Sequence, residues 1–251
     1  MPPAMPLLTL PSVVGHRGAA SYSPENTLAS LTEAKTRGAT WVEFDVKLSG
    51  DGVPVLMHDA SLKRTAGLDR AAAATSWAEI ATLDAGGWFA PRFAGERVPS
   101  FEQTIRHLAV LGLGANVEIK PCPGREAETA IATVRMLQRL WPAALPTPVL
   151  SSFADSALAA ARDTAPELSR ALLFGATGDD WAARASAVGA VGINVAARRL
   201  TPERAADIRA AGYLLSVYTV NEPEAARRLM VMGAHSIISD APDLVIAALA
   251  R

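Results

Sequence analysis

Cysteine, net charge and long apolar runs are nearly absent from this sequence. Cys122 is the only cysteine, so no disulfide can form within the chain, which fits a reducing compartment such as the cytoplasm. The 24 basic and 25 acidic side chains leave a formal net charge of -1, unlike the strongly basic surface of a nucleic-acid-binding protein. No run approaches the roughly 18 consecutive apolar residues of a membrane helix, and residues 1–12 lack the charged start and apolar core of a signal peptide. We therefore expect a cytoplasmic protein that binds no nucleic acid and has no membrane span.

Strand-like apolar runs alternate with helix patterns along the chain. Half of the residues are hydrophobic, which is enough for a sizeable core within 251 residues. Alternating strands and helices are typical of a parallel sheet covered by helices. Helices are predicted to begin at Pro24-Glu25, at Thr201-Pro202 and at Asn221. Nine strands are predicted, at residues 13–16, 41–47, 53–58, 116–120, 149–152, 170–174, 191–195, 214–219 and 236–239.

One of these strands differs from the rest. Only five residues, ending in the turn signal Asp51-Gly52, separate 53–58 from 41–47, and five residues cannot hold a parallel crossover. We therefore expect 53–58 to fold back antiparallel. The eight remaining strands predict an α/β fold, the (β/α)8 TIM barrel, with an insertion after strand 2 at about residues 47–99 and a delayed helix at 102–111. We expect a single domain over residues 1–251. The aromatic side chains of the insertion are expected to pack it onto the barrel mouth; they are Trp77, Trp88, Phe89 and Phe93.

Three carboxylates are predicted to point inward from two strands. Glu43 and Asp45 lie two residues apart on one strand, so they share a face and can share one cation, and Glu118 occupies a similar position on a later strand. All-oxygen ligation suits Mg²⁺ or Ca²⁺ better than Zn²⁺. The alternative is a structural cluster of ion pairs with Arg17 and Lys120.

Two of the four histidines end apolar strands. The antiparallel return brings His58 back beside Glu43, and His16 ends the first strand, so both are predicted to act in acid–base catalysis. His107 falls in a helix pattern and His235 in a loop, where we expect solvated or structural roles.

Two cationic side chains lie next to these residues in the sequence. Arg17 follows His16, and Lys120 lies two residues beyond Glu118, so the two could bind a phosphodiester. Alternatively, Arg17 only supports the carboxylates. Asn26 is expected to fix the loop that carries Arg17, and Asp240, after the last strand, is assigned no chemistry.

At these residues the sequence resembles the glycerophosphodiester phosphodiesterase family, above all its cytosolic bacterial members. The shared motifs are His-Arg-Gly at 16–18, Pro-Glu-Asn-Thr at 24–27, Glu-x-Asp at 43–45, His-Asp at 58–59 and Glu-Ile-Lys at 118–120. The similarity continues at 150–153, 217–221 and 237–240, so it spans almost the whole chain. The ordered set of motifs is highly specific.

The resemblance implies a fold, a reaction and a role for each of seven residues. The fold is again the (β/α)8 barrel with an insertion after strand 2. The reaction is metal-dependent hydrolysis of small glycerophosphodiesters, such as glycerophosphocholine or glycerophosphoethanolamine, to sn-glycerol-3-phosphate and an alcohol, with one Mg²⁺ or Ca²⁺. The implied nucleophile is the glycerol 2-hydroxyl, and direct attack by water stays open. The implied roles are metal ligation by Glu43, Asp45 and Glu118, acid and base catalysis by His16 and His58, and phosphate contact by Arg17 and Lys120.

Two other functions remain open at this point. A lysophospholipase-D-like phosphodiesterase uses a similar barrel and histidine pair, but it would need an apolar groove for an acyl chain. An inactive barrel could serve as a binding protein, although all seven side chains of the family are present. The sequence predicts neither the oligomeric state nor which histidine is the acid.

Overall fold

Nine strands form one sheet that closes on itself. The computed structural model describes residues 10–250. Its strands are β1 (Val13–His16), β2 (Trp41–Leu48), β3 (Pro54–Leu56), β4 (Gly114–Ile119), β5 (Val149–Ser152), β6 (Arg170–Phe174), β7 (Gly192–Ala196), β8 (Leu214–Tyr218) and β9 (Ser236–Ser239). Eight of them pair in parallel in the order β1-β9-β8-β7-β6-β5-β4-β2, and β1 pairs with β2 to close the ring. The predicted (β/α)8 barrel is therefore confirmed.

Strand β3 is the exception to the parallel order. It pairs antiparallel with the end of β2, with Val46 opposite Leu56 and Leu48 opposite Pro54. The predicted hairpin is confirmed, although the strand covers fewer residues than 53–58. The Met57 amide donates to the carbonyl of Asp45 at 3.0 Å, so the chain is still tied to β2 when it reaches His58. The hairpin therefore delivers His58 to the strand that carries two of the predicted carboxylates.

Helices cover the barrel and build the insertion. They are α1 (Leu28–Thr36), α2 (Lys63–Ala66), α3 (Trp77–Ile80), α4 (Phe101–Leu111), α5 (Glu126–Leu140), α6 (Asp155–Thr164), α7 (Trp181–Ala187), α8 (Pro202–Ala210), α9 (Pro223–Val231) and α10 (Pro242–Leu249). Helix α4 is the predicted delayed helix, and it begins with a capping box between Ser100 and Gln103. Helix α8 begins as predicted, with the Thr201 side chain accepting from the amide of Arg204.

Two predicted helix starts are wrong. Helix α1 begins at Leu28, because Asn26 has a φ of 57°, in the left-handed region, and cannot extend a right-handed helix back to Pro24-Glu25. The Thr27 side chain caps α1 instead. Helix α9 begins at Pro223. Asn221 does not cap it, because its side chain is hydrogen-bonded to Asp240, directly after β9.

The alternation of side chains along β2 separates the core from the barrel interior. Val42, Phe44 and Val46 are fully buried in the layer between the sheet and the helices. Glu43 and Asp45 point the other way, and they are also almost fully buried. Buried carboxylates must find charged or hydrogen-bonding partners inside the barrel.

The insertion has a small core of its own. Leu62, Ile80 and Val98 are buried together with β3 residues, and Trp77 packs against this cluster. The other three aromatic side chains of the insertion pack edge to face, with ring centroids 5.7 Å apart for Trp88–Phe89 and 5.6 Å for Phe89–Phe93. Within residues 10–250, no helix is both long and apolar enough to cross a membrane. Most of the N-terminal stretch examined for a signal peptide lies outside the described residues.

Candidate active site

The three predicted carboxylates form one buried cluster. Glu43 and Asp45 on β2 face Glu118 on β4, where Asp45 and Glu118 occupy paired positions of adjacent strands. One carboxylate oxygen from each residue lies within 4.8 Å of those of the other two. The three residues are 3%, 1% and 7% exposed. Three carboxylates at this spacing can ligate one shared cation.

Ionisation of all three carboxyl groups in this cluster is unfavourable. Burial and the neighbouring Asp45 carboxylate raise the pKa of Glu43 well above its ordinary value. The same two causes raise the pKa of Glu118 to about 7. Burial also acts on Asp45, but the charges of Arg17 and Lys120 outweigh it and lower the pKa of Asp45 to about 2. Two of the three carboxyl groups therefore resist ionisation unless more positive charge is present.

The ion-pair alternative accounts for only part of this cluster. Lys120 Nζ lies 2.5 Å from Glu118 Oε1 and 3.5 Å from Asp45 Oδ1, and Arg17 Nε lies 3.3 Å from Asp45 Oδ2. Glu43 Oε1, however, is buried with no hydrogen-bond partner among the described residues. A buried carboxylate oxygen without a donor is suited to a metal ion. The acidic triad is thus compatible with a divalent metal site.

His16 is held at its Nδ1 atom by a carboxylate from the far end of the chain. Its Nδ1 lies 2.6 Å from Asp240 Oδ1, and its Nε2 lies 3.8 Å from Glu43 Oε2. Asp240 is fixed in turn, since its Oδ2 accepts from Asn221 Nδ2 at 2.8 Å and its amide donates to Asn221 Oδ1. The imidazole therefore directs Nε2 at the acidic cluster. The contact of Asp240 with His16 is not predicted from the sequence, where only the position of Asp240 directly after the last strand points to it.

His58 is held in the same way by its neighbour in the sequence. Its Nδ1 lies 2.6 Å from Asp59 Oδ1. A hydrogen bond from Arg64 keeps the pKa of Asp59 well below its usual range. Burial lowers the pKa of His58, although the charge of Asp45 opposes this effect. Both predicted histidines thus have Nδ1 engaged by a carboxylate, and Nε2 remains available for substrate.

The turn after β1 fixes Arg17 beside the carboxylates. Gly18 has a φ of 90°, and a Cβ built there would come within 2.4 Å of Ser30 Oγ, so only glycine fits. The Arg17 carbonyl accepts from Ser30 Oγ at 2.8 Å and from the backbone N–H of Asn26 at 3.2 Å. Asn26 also binds Asp45, by donating from Nδ2 to Oδ2 at 2.9 Å and accepting the Asp45 amide on Oδ1. The expectation that Asn26 fixes this loop is confirmed.

A cavity of about 120 Å³ gathers six of the seven predicted site residues, and the seventh, Asp45, belongs to the adjoining carboxylate cluster. The cavity is lined by His16, Arg17, Glu43, His58, Asn116, Glu118, Lys120, Ser151, Phe153, Leu173, Tyr218, Thr219 and Ile238. The four aromatic residues of the insertion are not in its wall. A phosphodiester placed here would meet imidazole, cationic and carboxylate groups together.

The other two histidines lie elsewhere. His107 Nε2 is 2.8 Å from the hydroxyl of Thr32, and His235 Nδ1 accepts the backbone amide of Leu215 at 3.0 Å. Neither histidine lines the cavity, and each ring forms a hydrogen bond to a residue outside it.

Comparisons with known proteins identify the family of this chain. The eight parallel strands form a closed TIM barrel, and the relatives and structural neighbours of the chain make it a phosphoric diester hydrolase. Residues 16–244 match the glycerophosphoryl diester phosphodiesterase family, and the chain belongs to that family.

Several relatives cover nearly the whole chain. A glycerophosphodiester phosphodiesterase of Caldanaerobacter subterraneus subsp. tengcongensis is 30% identical over 93% of this chain and 96% of its own length. One of Bacillus subtilis is 31% identical over 92% of this chain and 84% of its own length. An Oleispira antarctica phosphodiesterase, solved in complex with the product sn-glycerol-3-phosphate, is 38% identical and superposes with a TM-score of 0.93 over 96% of this chain and 98% of its own.

Proposed function

We propose that the protein hydrolyses glycerophosphodiesters, such as glycerophosphocholine and glycerophosphoethanolamine, to sn-glycerol-3-phosphate and an alcohol. The observation that carries this proposal is the pair of carboxylate-anchored histidines, His16 and His58, that share one small cavity with the buried acidic triad. The product named in the Oleispira structure, sn-glycerol-3-phosphate, supports the same substrate class.

The acidic triad would hold one divalent cation, Mg²⁺ or Ca²⁺. Glu43, Asp45 and Glu118 supply only oxygen donors, which hard cations of this kind prefer. When bound, such a cation offsets negative charge on a phosphoryl oxygen and lowers the pKa of a hydroxyl beside it. The raised pKa values of Glu43 and Glu118 support this proposal, because a cation would return both groups to their ionised form.

Arg17 and Lys120 would bind the phosphate group. Arg17 Nε is buried and has no hydrogen-bond partner of good geometry among the described residues, so it has a donor to give to a ligand. Lys120 lies on the same cavity wall. Its ammonium group has three N–H donors, and the hydrogen bond to Glu118 uses only one of them. Together the two cations match the single negative charge of a diester and the further charge that develops in its transition state.

The two histidines would transfer the protons. One Nε2 takes the proton of the attacking hydroxyl, and the other Nε2 gives a proton to the leaving alkoxide. Asp240 and Asp59 hold the Nδ1 atoms of His16 and His58, so each ring keeps its Nε2 in the cavity through the reaction. Two anchored rings can exchange their roles between successive steps.

The attacking group would be the 2-hydroxyl of the glycerol moiety. Its oxygen forms a bond to phosphorus while the bond to the alcohol breaks, which gives a 1,2-cyclic phosphate and the free alcohol. Water then opens the ring, with the proton transfers reversed, and yields sn-glycerol-3-phosphate. An internal hydroxyl is already positioned, so this route avoids the entropic cost of holding a separate water molecule.

The test is a comparison of three substrates with Mg²⁺ or Ca²⁺ present. Glycerophosphocholine should turn over, while its analogue without the 2-hydroxyl should bind as a competitive inhibitor and react little. Lysophosphatidylcholine should be a poor substrate. Turnover of lysophosphatidylcholine above that of glycerophosphocholine would support the lysophospholipase-D-like alternative. Absence of all turnover would favour a binding protein, and rapid hydrolysis of the 2-deoxy analogue would leave direct attack by water.

A further inference from the structure

Arg64, on the short helix α2 of the insertion, lies between two carboxylates. Its Nε donates to Asp59 Oδ2 at 2.7 Å, and its Nη2 reaches Asp59 Oδ1 at 3.2 Å. On the other side, Nη1 and Nη2 each donate to Glu25 at 2.8 Å. One guanidinium thus forms two forked contacts, and a planar group with five fixed donors is suited to this geometry.

Both carboxylates that Arg64 binds have a second partner in the active site. Asp59 Oδ1 lies 2.6 Å from His58 Nδ1. Glu25 Oε1 accepts from Arg17 Nη1 at 2.7 Å, and Arg17 in turn lies beside Asp45. A continuous series of charged contacts therefore runs from His58 through Arg64 to Arg17. Glu25 lies before α1, which begins at Leu28, and its carboxylate pairs with Arg17 and Arg64.

Arg64 contributes little to holding its own helix in place. Its side chain is 44% exposed and that of Asp59 is 32% exposed, so solvent screens part of these ion pairs, although the Glu25 side chain is only 12% exposed. Other residues attach α2 to the insertion, because Leu62, just before the helix, and Thr65 and Ala66, within it, are buried. The contacts of Arg64 are therefore better suited to orienting their partners than to stabilising the fold.

We propose that Arg64 is a positioning residue that orients His58 and Arg17 together. This inference rests on the proposed function, in which His58 transfers a proton and Arg17 binds phosphate. Without the guanidinium, the carboxylates of Asp59 and Glu25 keep their charge and lose the group that fixes their planes. Asp59 can then rotate away from His58, and Glu25 can draw Arg17 out of the cavity.

The insertion gains a defined role from this contact. Helix α2 belongs to the segment between β2 and α4, outside the repeating barrel units, yet it supplies the group that joins two cavity residues. The insertion would thereby assemble the proton-transfer side and the phosphate-binding side of the site in one step.

The test compares Arg64→Ala with Arg70→Ala. Arg70 is the control, since it lies on the same insertion, is 46% exposed, and its Nη1 donates to both carboxylate oxygens of Glu79, at 2.7 and 2.9 Å. We expect Arg64→Ala to lower kcat and raise KM, with kcat/KM falling on the order of 10- to 100-fold, as small misplacements of reacting groups do. Arg70→Ala should stay within about twofold of wild type, and the melting temperatures of the two variants should agree.

Chemical rescue separates positioning from a general loss of structure. Because the Arg64 side chain is exposed, millimolar guanidinium can enter the gap left in Arg64→Ala and should restore part of the lost kcat. It should not increase the activity of wild type or of Arg70→Ala. Arg64→Lys should recover only part of the loss, since an ammonium cannot fork to two carboxylates.

A second readout does not depend on turnover. Nitrogen-15 spectra of the histidine rings should show changed His58 signals in Arg64→Ala, unchanged His16 signals, and no change for either ring in Arg70→Ala. The inference is overturned if Arg64→Ala matches Arg70→Ala in kcat, KM and ring signals, or if its loss follows a lower melting temperature and guanidinium restores nothing. Failure of the proposed function would give a different result. The wild-type protein would then hydrolyse no glycerophosphodiester, but the His58 ring signals would still show whether Arg64 orients that ring.

Discussion

Replacing Glu118 by glutamine should change how the stability of the metal-free protein depends on pH. The pKa of Glu118 is raised from 4.5 to about 7 in the folded protein by burial and by Asp45. Between these values the folded state holds a proton that the unfolded state has lost, so the folded state is favoured at low pH. This contribution disappears as the pH rises through about 7. Glutamine resembles the protonated side chain and does not titrate.

The size of the effect follows from the two pKa values. At about 1.4 kcal/mol per pKa unit, the wild-type protein should lose roughly 2 to 3 kcal/mol of this contribution between pH 5 and pH 8. The free energy of unfolding of Glu118→Gln minus that of wild type should therefore rise by about the same amount over this range. Taking the difference removes contributions from groups that titrate alike in both proteins. Glu43 does not, because the Glu118 charge helps to raise its pKa, and losing that charge changes the difference in the same direction.

Urea unfolding after exhaustive chelation, followed by circular dichroism at several pH values, measures this difference. Glu128→Gln is the control, because Glu128 is exposed and a hydrogen bond from Arg125 lowers its pKa, so its difference should show no rise with pH. Adding Mg²⁺ or Ca²⁺ at pH 8 should stabilise wild type more than Glu118→Gln. A difference between Glu118→Gln and wild type that stays constant from pH 5 to pH 8 would refute the reasoning, since it would mean that the carboxyl group titrates normally.

Three further predictions concern the metal, the histidines and the turn after β1. Chelation should abolish turnover and Mg²⁺ or Ca²⁺ should restore it; full activity at negligible measured metal content would exclude the proposed cation. His16→Ala and His58→Ala should each lower kcat on the order of 100-fold or more, and the double variant should fall little further, because paired roles are not additive. His107→Ala should be close to wild type in the same kinetic assay, and a loss equal to that of His58→Ala would contradict the assignment. Gly18→Ala should destabilise the protein by several kcal/mol in a urea titration, since its new Cβ would overlap α1 and its φ is 90°, whereas Gly67→Ala, with a φ of 73° and open space around it, should cost about 1 kcal/mol. Equal costs at the two glycines would mean that the overlap is relieved by movement.

The barrel could be predicted from the sequence because its signals are local. Strand length, turn residues and the short link at Asp51-Gly52 are all visible within a few residues, and they sufficed to separate β3 from the eight parallel strands. The same period of two placed Glu43 and Asp45 on the inner face of β2. Residues at strand ends then converge by the geometry of the barrel, which explains why all seven predicted site residues meet.

The supporting contacts could not be predicted because they join segments that are distant in sequence. Asp240 lies 224 residues from His16, and Arg64 lies 39 residues from Glu25. Nothing in the local sequence distinguishes these side chains from ordinary surface charges or helix caps. Proline followed by glutamate favours a helix start at Pro24-Glu25. The left-handed conformation of Asn26 prevents the helix from beginning there. Such pairings depend on how loops meet over the closed barrel.

The contact between His16 and Asp240 can form only in a completely folded barrel. The hairpin of β2 and β3 can bring Glu43, Asp45 and His58 together within one short segment, at a small loss of chain entropy. His16 ends the first strand and Asp240 follows the last, so their contact forms only after β1 has paired with β9 and the ring is shut. A chain interrupted before its last strand would keep most of the chemical groups but would leave His16 without its anchor. Partly made or partly opened copies of the protein would therefore lack this contact, whatever other groups of the site they had assembled.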